Sequence, residues 1–441
     1  MAPKFEQILI LSSQSDFEEK IARLRSEMLL AARSAGYGSE QGKVVVDILH
    51  DVAERGDEAV AEYTEKFDSV RLTPEQFGLS RAELKAAHEA TDTAVLDSLR
   101  KAIRNVREYQ RKIFIGNRSD FSEGTGIRYT PLRRVGVCVP GAAAPLPSTV
   151  IMTVVPAQVA GVKEIAVVSP PRHKGSIHPV ILAVCHELGV DEVYRIGGVQ
   201  AVAALASEEG NIPKVDMIVG PGNKWVQSAK KNVSGDYVGI DCIAGPSEAL
   251  IVANEQANPA WVAADMLGQA EHGPDSSAIV VTDSEQTAKA VLEELKKQVG
   301  QLPRAEDAKA SLLSYSRIIV VDDMDMAIQI ADDFAAEHLE VQCGDESREI
   351  ANGISNAGAI FVGPYTPVAV GDYWAGPSHT LPTGTRAKFS SALTSNDFVK
   401  SISVVEYDKE RLAASADDIV RLAEVEGLDA HARSVKIRLD T

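Results

Sequence analysis

The stretch Val135-Gly-Val-Cys-Val-Pro-Gly141 decides the fold of this chain. An apolar run ends there in Pro and Gly, and a helical pattern follows over residues 149–160, which is the order strand, turn, helix. The same alternation is repeated downstream, where further apolar runs stand between helical patterns. Those runs are residues 165–168, 193–196, 217–219 and 238–240. Strands that alternate with helices in this way predict a parallel sheet.

A second set of apolar runs, again separated by helical patterns, predicts a second sheet of the same kind. Its members are residues 250–252, 278–281, 318–321 and 360–362. We therefore expect an α/β fold with two Rossmann-like units, over residues 131–247 and 248–392. Residues 1–130 have amphipathic helical spacing and should pack partly on the first unit. Residues 393–441 are too few for a large core, so this tail domain should dock on a neighbour in the same chain or in another.

The composition argues against several classes of protein. The 441 residues include 63 Asp and Glu against 45 Lys and Arg, and a net charge of −18 disfavours a nucleic-acid partner. No apolar run is long enough to span a membrane and the first residues lack a signal-peptide pattern, so we expect a cytoplasmic protein without membrane contact. The cysteines lack CxxC spacing, which predicts neither a zinc ribbon nor a redox pair; they are Cys138, Cys185, Cys242 and Cys343.

The segment Met266-Leu-Gly-Gln-Ala-Glu-His-Gly-Pro-Asp275 has the pattern of a helix end. Gln269 and His272 are three residues apart, so they share one helix face. A neutral imidazole and an amide oxygen at that spacing could bind a metal ion. Taken alone, however, the pair is more simply interpreted as an ordinary polar helix end.

Two strand-to-helix corners are candidates for ligand binding, because α/β sheets bind ligands at such corners. One is Val139-Pro-Gly-Ala-Ala-Ala-Pro-Leu-Pro-Ser-Thr149, where Ser148 or Thr149 could cap the helix, and the other is Gly220-Pro-Gly-Asn-Lys-Trp225. Glycines and a helix N-terminus favour a phosphate group. The chain has neither GxGxxG nor a P-loop, so plain turns remain an equal interpretation.

Two further stretches contain residues suited to proton transfer. Glu337 and His338 are adjacent, and burial could tune the pKa values of both for acid/base work, although an exposed helix segment is the simpler interpretation. Residues 371–384 form a long segment rich in Gly and Pro that contains Asp372 and His379. A long irregular loop inside a compact domain is usually functional.

Together, these motifs resemble the histidinol dehydrogenase family over essentially the whole chain. The matching motifs, in chain order, are Tyr63-Thr-Glu-Lys-Phe-Asp68, Val135-Gly-Val-Cys-Val-Pro-Gly141, Gly197-Gly-Val-Gln-Ala201, Val219-Gly-Pro-Gly-Asn223, Ala244-Gly-Pro-Ser-Glu248, Gln269-Ala-Glu-His-Gly-Pro-Asp275, Glu337-His338, Gly371-Asp-Tyr373, His379 and Glu426-Gly-Leu-Asp-Ala-His431. Many separate motifs in one order make this resemblance specific.

The resemblance implies oxidation of L-histidinol to L-histidine by NAD, through bound L-histidinal, as the last steps of histidine biosynthesis. It implies that Glu337 and His338 form the general acid/base pair. It implies one Zn²⁺ per subunit, whose ligands would be Gln269, His272, Asp372 and His431. The substrate would contact these ligands, His338 and three further residues, namely Ser247, His379 and Glu426.

The resemblance also implies NAD contacts at Cys138, Gln200 and Asn223, and a homodimer in which the tail of each subunit completes the partner's site. The sequence departs from the family pattern at several positions. Cys138 stands where a tyrosine is usual, Ala142 replaces a second glycine and Ser378 replaces an asparagine. The segment around residues 383–388 is one residue shorter than in the family.

Several alternatives stay open at this point. A relative that oxidises another small alcohol is disfavoured by Glu426 and His379, which suit an imidazole-bearing substrate. A zinc hydrolase using Glu337 lacks the HExxH motif. A thiol-dependent aldehyde oxidation would need an activated cysteine, and these thiols have no basic neighbour in sequence. A binding protein without catalysis would not be expected to retain Glu337 and His338.

Overall fold

The computed structural model describes residues 5–32, 39–116, 119–141 and 145–439; Ala142 lies outside them. The chain forms two units. The main unit comprises Met1–Phe114 and Leu132–Asp397, and the small unit comprises Ile115–Pro131 and Phe398–Thr441. Among the described helices, none is both long enough and apolar enough to cross a bilayer.

The strands, in chain order, are β1 (Leu9–Leu11), β2 (Ser119–Ser122), β3 (Thr125–Pro131), β4 (Arg134–Cys138), β5 (Glu164–Val168), β6 (Glu192–Tyr194), β7 (Met217–Val219), β8 (Gly239–Ile240), β9 (Glu248–Ala253), β10 (Ser277–Thr282), β11 (Arg317–Val320), β12 (His338–Gln342), β13 (Ala359–Val362) and β14 (Val399–Val405). The helices are α1 (Phe17–Ala32), α2 (Glu40–Arg55), α3 (Asp57–Asp68), α4 (Arg81–Ala90), α5 (Thr93–Ile113), α6 (Pro147–Ala160), α7 (Pro179–Glu187), α8 (Gly198–Ala206), α9 (Lys224–Val233), α10 (Pro259–Ala270), α11 (Glu285–Gln298), α12 (Ala305–Ser314), α13 (Met324–Phe334), α14 (Ser347–Asn352), α15 (Val368–Tyr373), α16 (Lys409–Val425) and α17 (Asp429–Lys436).

Sheet 1 is parallel, with strand order β6-β5-β4-β7-β8. The direction of winding reverses between β4 and β7, so the two corners that follow these strands lie side by side at the carboxyl edge. Helices α2 and α3 pack on α8, and α4 packs on α7. Three of the N-terminal helices, α2, α3 and α4, thus pack on helices of the first α/β unit.

Sheet 2 is also parallel, with strand order β1-β11-β10-β9-β12-β13. Here the reversal lies between β9 and β12. One face packs on α1, α13 and α14 through a buried apolar cluster that includes Leu339 and Val341, and the other face packs on α10, α11 and α12. Side chains alternate along a strand, so His338, Glu340 and Gln342 point toward the α10 side.

The small unit contains sheet 3, an antiparallel sheet of order β14-β3-β2, together with α16 and α17. Several large apolar side chains on its helices remain exposed, including Leu422 at 66% and Val425 at 81%. Such exposure on a small domain indicates a surface that another element covers.

The predicted fold class, a mixed α/β protein with two parallel sheets, is confirmed. Several elements differ from the predictions. Strands β1, β2 and β3 lie in the region predicted to be helical, and β12 was not predicted as a strand. Within the helical region, α4 and α5 are separate helices, because Asp92 accepts hydrogen bonds from Ala94 N and Val95 N and starts α5. Helix α6 is capped by neither Ser148 nor Thr149, since Pro147 is already its first residue.

Candidate functional site

Glu337 and His338 lie at the amino edge of sheet 2, beside the first residue of β9. Glu248 N–H donates to Glu337 Oε2 at 2.9 Å, and the Glu248 carbonyl oxygen lies 3.1 Å from His338 Nδ1. A ring nitrogen that faces a carbonyl oxygen must carry the hydrogen. The remaining nitrogen, Nε2, is therefore the one that can exchange a proton with a substrate.

The Nε2 atom of His338 is buried and makes no hydrogen bond within the part of the chain that the structure describes. It lies 3.6 Å from Asp372 Oδ1. Asp372 is in α15, so the predicted irregular segment 371–384 begins with a helical turn. An orphaned buried ring nitrogen next to a carboxylate is a feature of sites that bind a ligand.

Burial tunes the acid/base pair. It raises the pKa of the Glu337 carboxyl to about 7. For His338, burial acts to lower the pKa, but the carboxylates of Glu337 and Asp372 outweigh it and raise the pKa to about 9. Two adjacent groups with pKa values of about 7 and about 9 can move protons to and from a substrate near neutral and mildly alkaline pH.

Gln269 lies in the last turn of α10, whereas His272 follows two residues after the helix ends, and Gln269 is buried with its amide Nε2 unpaired within the described residues. Burial lowers the pKa of His272, and the nearby His338 overcomes burial to lower the pKa of Asp372. A neutral imidazole, an ionised carboxylate and an amide oxygen are the forms that can bind zinc. These residues therefore fit the metal that the sequence predicts.

The described residues do not form a complete metal cluster. Within residues 5–32, 39–116, 119–141 and 145–439, no group of three or more His, Cys, Asp and Glu side chains is arranged to hold a metal ion. The fourth predicted ligand, His431, belongs to the small unit, where it is exposed on α17. Glu426 is likewise exposed, at the end of α16.

The remaining predicted substrate contacts lie in the main unit. Ser247 immediately precedes β9 and is partly buried. The Nε2 atom of His379 lies 3.3 Å from Ser148 Oγ, and burial lowers the pKa of His379. Its neighbour Ser378 donates a hydrogen bond to the Met152 carbonyl at 3.0 Å, which anchors this irregular segment on α6.

A cavity of about 430 Å³ opens at the carboxyl edge of sheet 1, at the corners that follow β4 and β7. Cys138, Gln200 and Asn223, the three predicted cofactor contacts, all line it. Gln200 is fully buried, and neither atom of its amide has a partner among the described residues. A largely apolar cavity with an unsatisfied buried amide at a switch point is a fitting site for a dinucleotide.

The structure also shows the local contacts of the other two predicted cofactor residues, Asn223 and Cys138. Asn223 caps α9, because its Oδ1 accepts hydrogen bonds from Trp225 N and Val226 N. Cys138 is buried, and burial raises the pKa of its thiol to about 12. Burial likewise raises the pKa values of the other cysteines to about 12; these are Cys185, Cys242 and Cys343. Thiols in this state are protonated and poor nucleophiles.

A buried ion pair that the sequence analysis missed holds the second corner. The Nζ atom of Lys230, which is fully buried, donates to the Gly220 carbonyl at 2.9 Å and to Asp241. Asp241 Oδ2 accepts from Gly220 N at 2.7 Å. Gly220 has φ +107°, and a Cβ there would overlap the Cys138 carbonyl oxygen. The signal in the sequence was a lysine among apolar helix positions.

Glu248 was also missed, although its motif was noted. Its side chain is fully buried and its Oε1 accepts from Gly384 N at 2.9 Å, while its peptide group contacts the acid/base pair. Burial, aided by the charge of Glu337, raises the pKa of Glu248 to about 8. The signal was a carboxylate at the head of the apolar run Ala249-Leu-Ile-Val-Ala253.

The α/β fold has two features typical of an enzyme, a buried acid/base pair and a cavity at a switch point of a parallel sheet. A sequence model of the histidinol dehydrogenase family matches residues 32–439. The chain is 43% identical to histidinol dehydrogenase from Rhodopirellula baltica over 97% of this chain and 96% of the relative, and 46% identical to that from Heliobacterium mobile over 90% and 93%. The chain belongs to the histidinol dehydrogenase family.

Structural comparison agrees. The crystal structure of histidinol dehydrogenase from Elizabethkingia anophelis is similar, with a TM-score of 0.87 and 34% sequence identity. The match covers 94% of this chain and 96% of that chain. The similarity therefore extends over both units rather than over one sheet.

Proposed function

We propose that this protein oxidises L-histidinol to L-histidine in two NAD-dependent steps, with L-histidinal kept bound between them and one zinc ion per subunit. The observation that carries the proposal is the group formed by Glu337, His338 and Asp372 at the end of α10. In this group, the proton-transfer residues Glu337 and His338 lie next to Asp372, whose lowered pKa keeps it ionised as a metal ligand must be. Family membership supports the same substrate. A biosynthetic role in the cytoplasm follows from this proposal.

Zinc would be held by Gln269, His272 and Asp372 of one subunit and by His431 of the partner subunit. When bound, zinc would supply a fixed template for the amino and imidazole nitrogens of the substrate, and NAD in the sheet 1 cavity would accept the hydrides. The orphaned amide of Gln269 and that of Gln200 support these two sites.

The chain's own residues handle the protons. In the first step, the neutral form of His338, which predominates only above its pKa of about 9, takes the proton of the substrate hydroxyl at Nε2, while Nδ1 stays fixed on the Glu248 carbonyl. In the second step, Glu337 removes a proton from the water that adds to the bound aldehyde. A carboxyl group with a pKa of about 7 is a suitable base at neutral pH. Retention of the aldehyde in a closed site would exclude competing reactions.

A homodimer with exchanged tails is part of the proposal. The main unit supplies three of the four predicted ligands, and His431 and Glu426 are exposed on the small unit. The exposed Leu422 and Val425 provide an apolar surface for a partner subunit. The four-part division at residues 130, 247 and 392 stays a prediction from the sequence.

The stoichiometry of NADH formation tests the reaction. Each histidinol should yield two NADH and one histidine, and treatment with a chelator should abolish turnover until zinc is restored. A panel of other small alcohols serves as the control for substrate identity. One NADH with free aldehyde in solution would contradict the two-step reaction. Hydrolysis without NADH formation would instead support a zinc hydrolase.

Mixed dimers test the exchange of tails. The Glu337→Gln and His431→Asn variants should each be nearly inactive as homodimers. After joint unfolding and refolding, a mixed dimer with exchanged tails has one site that contains both lesions and one intact site, so activity should return. If each tail serves its own chain, every site keeps one lesion and mixing restores nothing. Mass measurement of the mixed dimers provides the control.

A further inference from the structure

Strand β12 has a polar face that is buried in the middle of sheet 2. His338, Glu340 and Gln342 alternate with Leu339 and Val341, and β12 lies between β9 and β13. Glu340 is fully buried and Gln342 is 4% exposed. Polar side chains on an inner strand need partners within the protein. The proposed reaction uses His338 and leaves Glu340 without an assigned role.

The carboxyl group of Glu340 connects three elements. Its Oε1 accepts a hydrogen bond from Val368 N at 3.1 Å, and its Oε2 accepts one from Gln342 Nε2 at 3.1 Å. It also forms a side-chain hydrogen bond with Asp265 of α10. Burial, followed by the charge of Glu340, raises the pKa of Asp265 to about 8, so the two carboxyl groups share a proton near neutrality.

These contacts lie one helical turn from two of the predicted zinc ligands. Val368 is the first residue of α15 and Asp372 is four residues later. Asp265 is four residues before Gln269 in α10. Residues four apart lie on one helix face, so each contact fixes the face that presents a ligand.

We propose that Glu340 and Asp265 form a positioning pair, which fixes α10 and α15 against β12 and so directs Gln269 and Asp372 to the same metal ion. The inference rests on the proposed function, because it assigns the pair to the proposed zinc site. Neither residue touches substrate or cofactor in this role. Groups that orient the ligands of a metal often affect its affinity as much as the ligands' own chemistry does.

Fold stability alone does not explain the pair. Taking two carboxyl groups out of water is costly, and apolar replacements of buried polar pairs are often equally stable. The contacts of Glu340 also have a fixed geometry. Its Oε1 accepts a hydrogen bond from the backbone of α15, and the carboxyl group forms a hydrogen bond with Asp265 of α10. Hydrogen bonds of fixed direction hold the two helices in one orientation, and a metal site requires its ligands to be held in this way.

The test compares Glu340→Ala with the conservative Glu340→Gln in the full-length dimer. The glutamine can still accept from Val368 N through its oxygen and can donate to Asp265 through its nitrogen, so it replaces the shared proton. We expect Glu340→Ala to weaken zinc binding about 10- to 100-fold and Glu340→Gln to stay within about threefold of the wild type. Asp265→Ala and Asp265→Asn should show the same contrast.

Zinc affinity is measured by competition with a chromogenic chelator, which does not depend on turnover. At saturating zinc, Glu340→Ala should raise KM for histidinol more than it lowers kcat, because the metal is the substrate's template in the proposal. Asp332→Ala is the matched control. The Asp332 carboxylate also accepts hydrogen bonds from backbone N–H groups, those of Ser355 and Asn356, but these groups lie away from the predicted ligands. This control should lower thermal stability and leave zinc affinity unchanged.

Three outcomes overturn the inference in distinguishable ways. If the wild type binds zinc and Glu340→Ala binds it equally well, the positioning role is wrong and the proposed function stands. If Glu340→Gln is as damaging as Glu340→Ala, the hydrogen bonds do not carry the effect. If the wild type itself neither binds zinc nor oxidises histidinol, the proposed function fails and the inference fails with it.

Discussion

The carboxyl edge of sheet 1 and the amino edge of sheet 2 differ in almost every physical property. The first has an apolar cavity whose only unsatisfied amide is that of Gln200 among the described lining residues. The second has ionisable side chains in close contact, with Glu337, His338 and Asp372 all largely buried. Two sheets of the same topology thus present opposite environments.

In the proposed reaction the two edges would have separate tasks. The apolar wall of the sheet 1 cavity would hold the cofactor that accepts hydride. Proton transfer needs groups with shifted pKa values, which a buried polar cluster supplies. The carboxyl edge of sheet 2, the usual position for ligands, is filled by its own polar contacts, such as Asn254 with Glu346.

The largest expected effect is at the amino edge of sheet 2. Glu337→Gln should slow the oxidation of supplied histidinal by about 10²- to 10⁴-fold, because the base is lost, and should slow alcohol oxidation far less. Steady-state assays with each substrate separate the two steps. Glu346→Gln, at the opposite edge of the same sheet, is the control and should have little effect. Equal losses in both steps would refute the division of roles between Glu337 and His338.

The next effect concerns the sheet 1 cavity. Gln200→Ala should weaken NAD binding by about tenfold, the value of one lost hydrogen bond of roughly 1.4 kcal/mol, and should leave kcat at saturating NAD nearly unchanged. Titration of NAD against protein fluorescence measures the affinity. Gln158→Ala, which removes a partly buried amide that lies outside the cavity lining, is the control. A loss of kcat with unchanged NAD affinity would indicate that Gln200 acts in the chemical step and not in cofactor binding.

The pH dependence should have opposite signs for activity and stability. The pKa of Glu337 is raised to about 7, so its basic form appears only as pH rises through 7, and histidinal oxidation should increase about tenfold per pH unit below that value. The folded state favours the protonated carboxyl, so this group's contribution to the free energy of unfolding is lost between pH 4.5 and 7. Chemical denaturation of the wild type and of Glu337→Gln measures the difference. Parallel pH slopes for the two proteins would contradict the assignment.

The smallest effect on activity is expected at the thiols. Cys138→Ser and Cys242→Ser should retain turnover within a few-fold, because both thiols are protonated, and should lower the free energy of unfolding by about 1–2 kcal/mol. Thermal unfolding and the NADH assay check the two expectations together. A folded Cys138→Ser protein without activity would restore a thiol-dependent mechanism.

The sequence predicts much of the fold because most strands are continuous apolar runs. It fails at β12, where His338-Leu-Glu-Val-Gln342 alternates polar and apolar residues and the polar face is buried by contacts distant in sequence. Periodicity cannot distinguish such a face from one that meets water. The strand β1 was missed for a related reason, since three residues gain their strand character only by pairing with β11.

The candidate site was predicted unevenly. The resemblance supplied Gln200 and Asn223, and the structure brings both to one cavity with Cys138. Glu248 and Lys230 were not predicted, because their roles depend on burial and on contacts to peptide groups. A single sequence does not reveal which backbone atoms a side chain will meet. The zinc and NAD assignments stay predictions that the experiments above address.

The two-segment origin of the small unit has a consequence for biosynthesis on the ribosome. Strand β3 pairs with β14, and about 270 residues lie between them, so at 5–20 residues per second β3 waits roughly 15–50 s for its partner. During that time its hydrogen-bonding edge is open to other strands. The main unit can collapse meanwhile, whereas the small unit must form last. Synthesis of β14 is therefore the event that permits sheet 3 to form, and a chain that ends before residue 399 would leave β3 without β14.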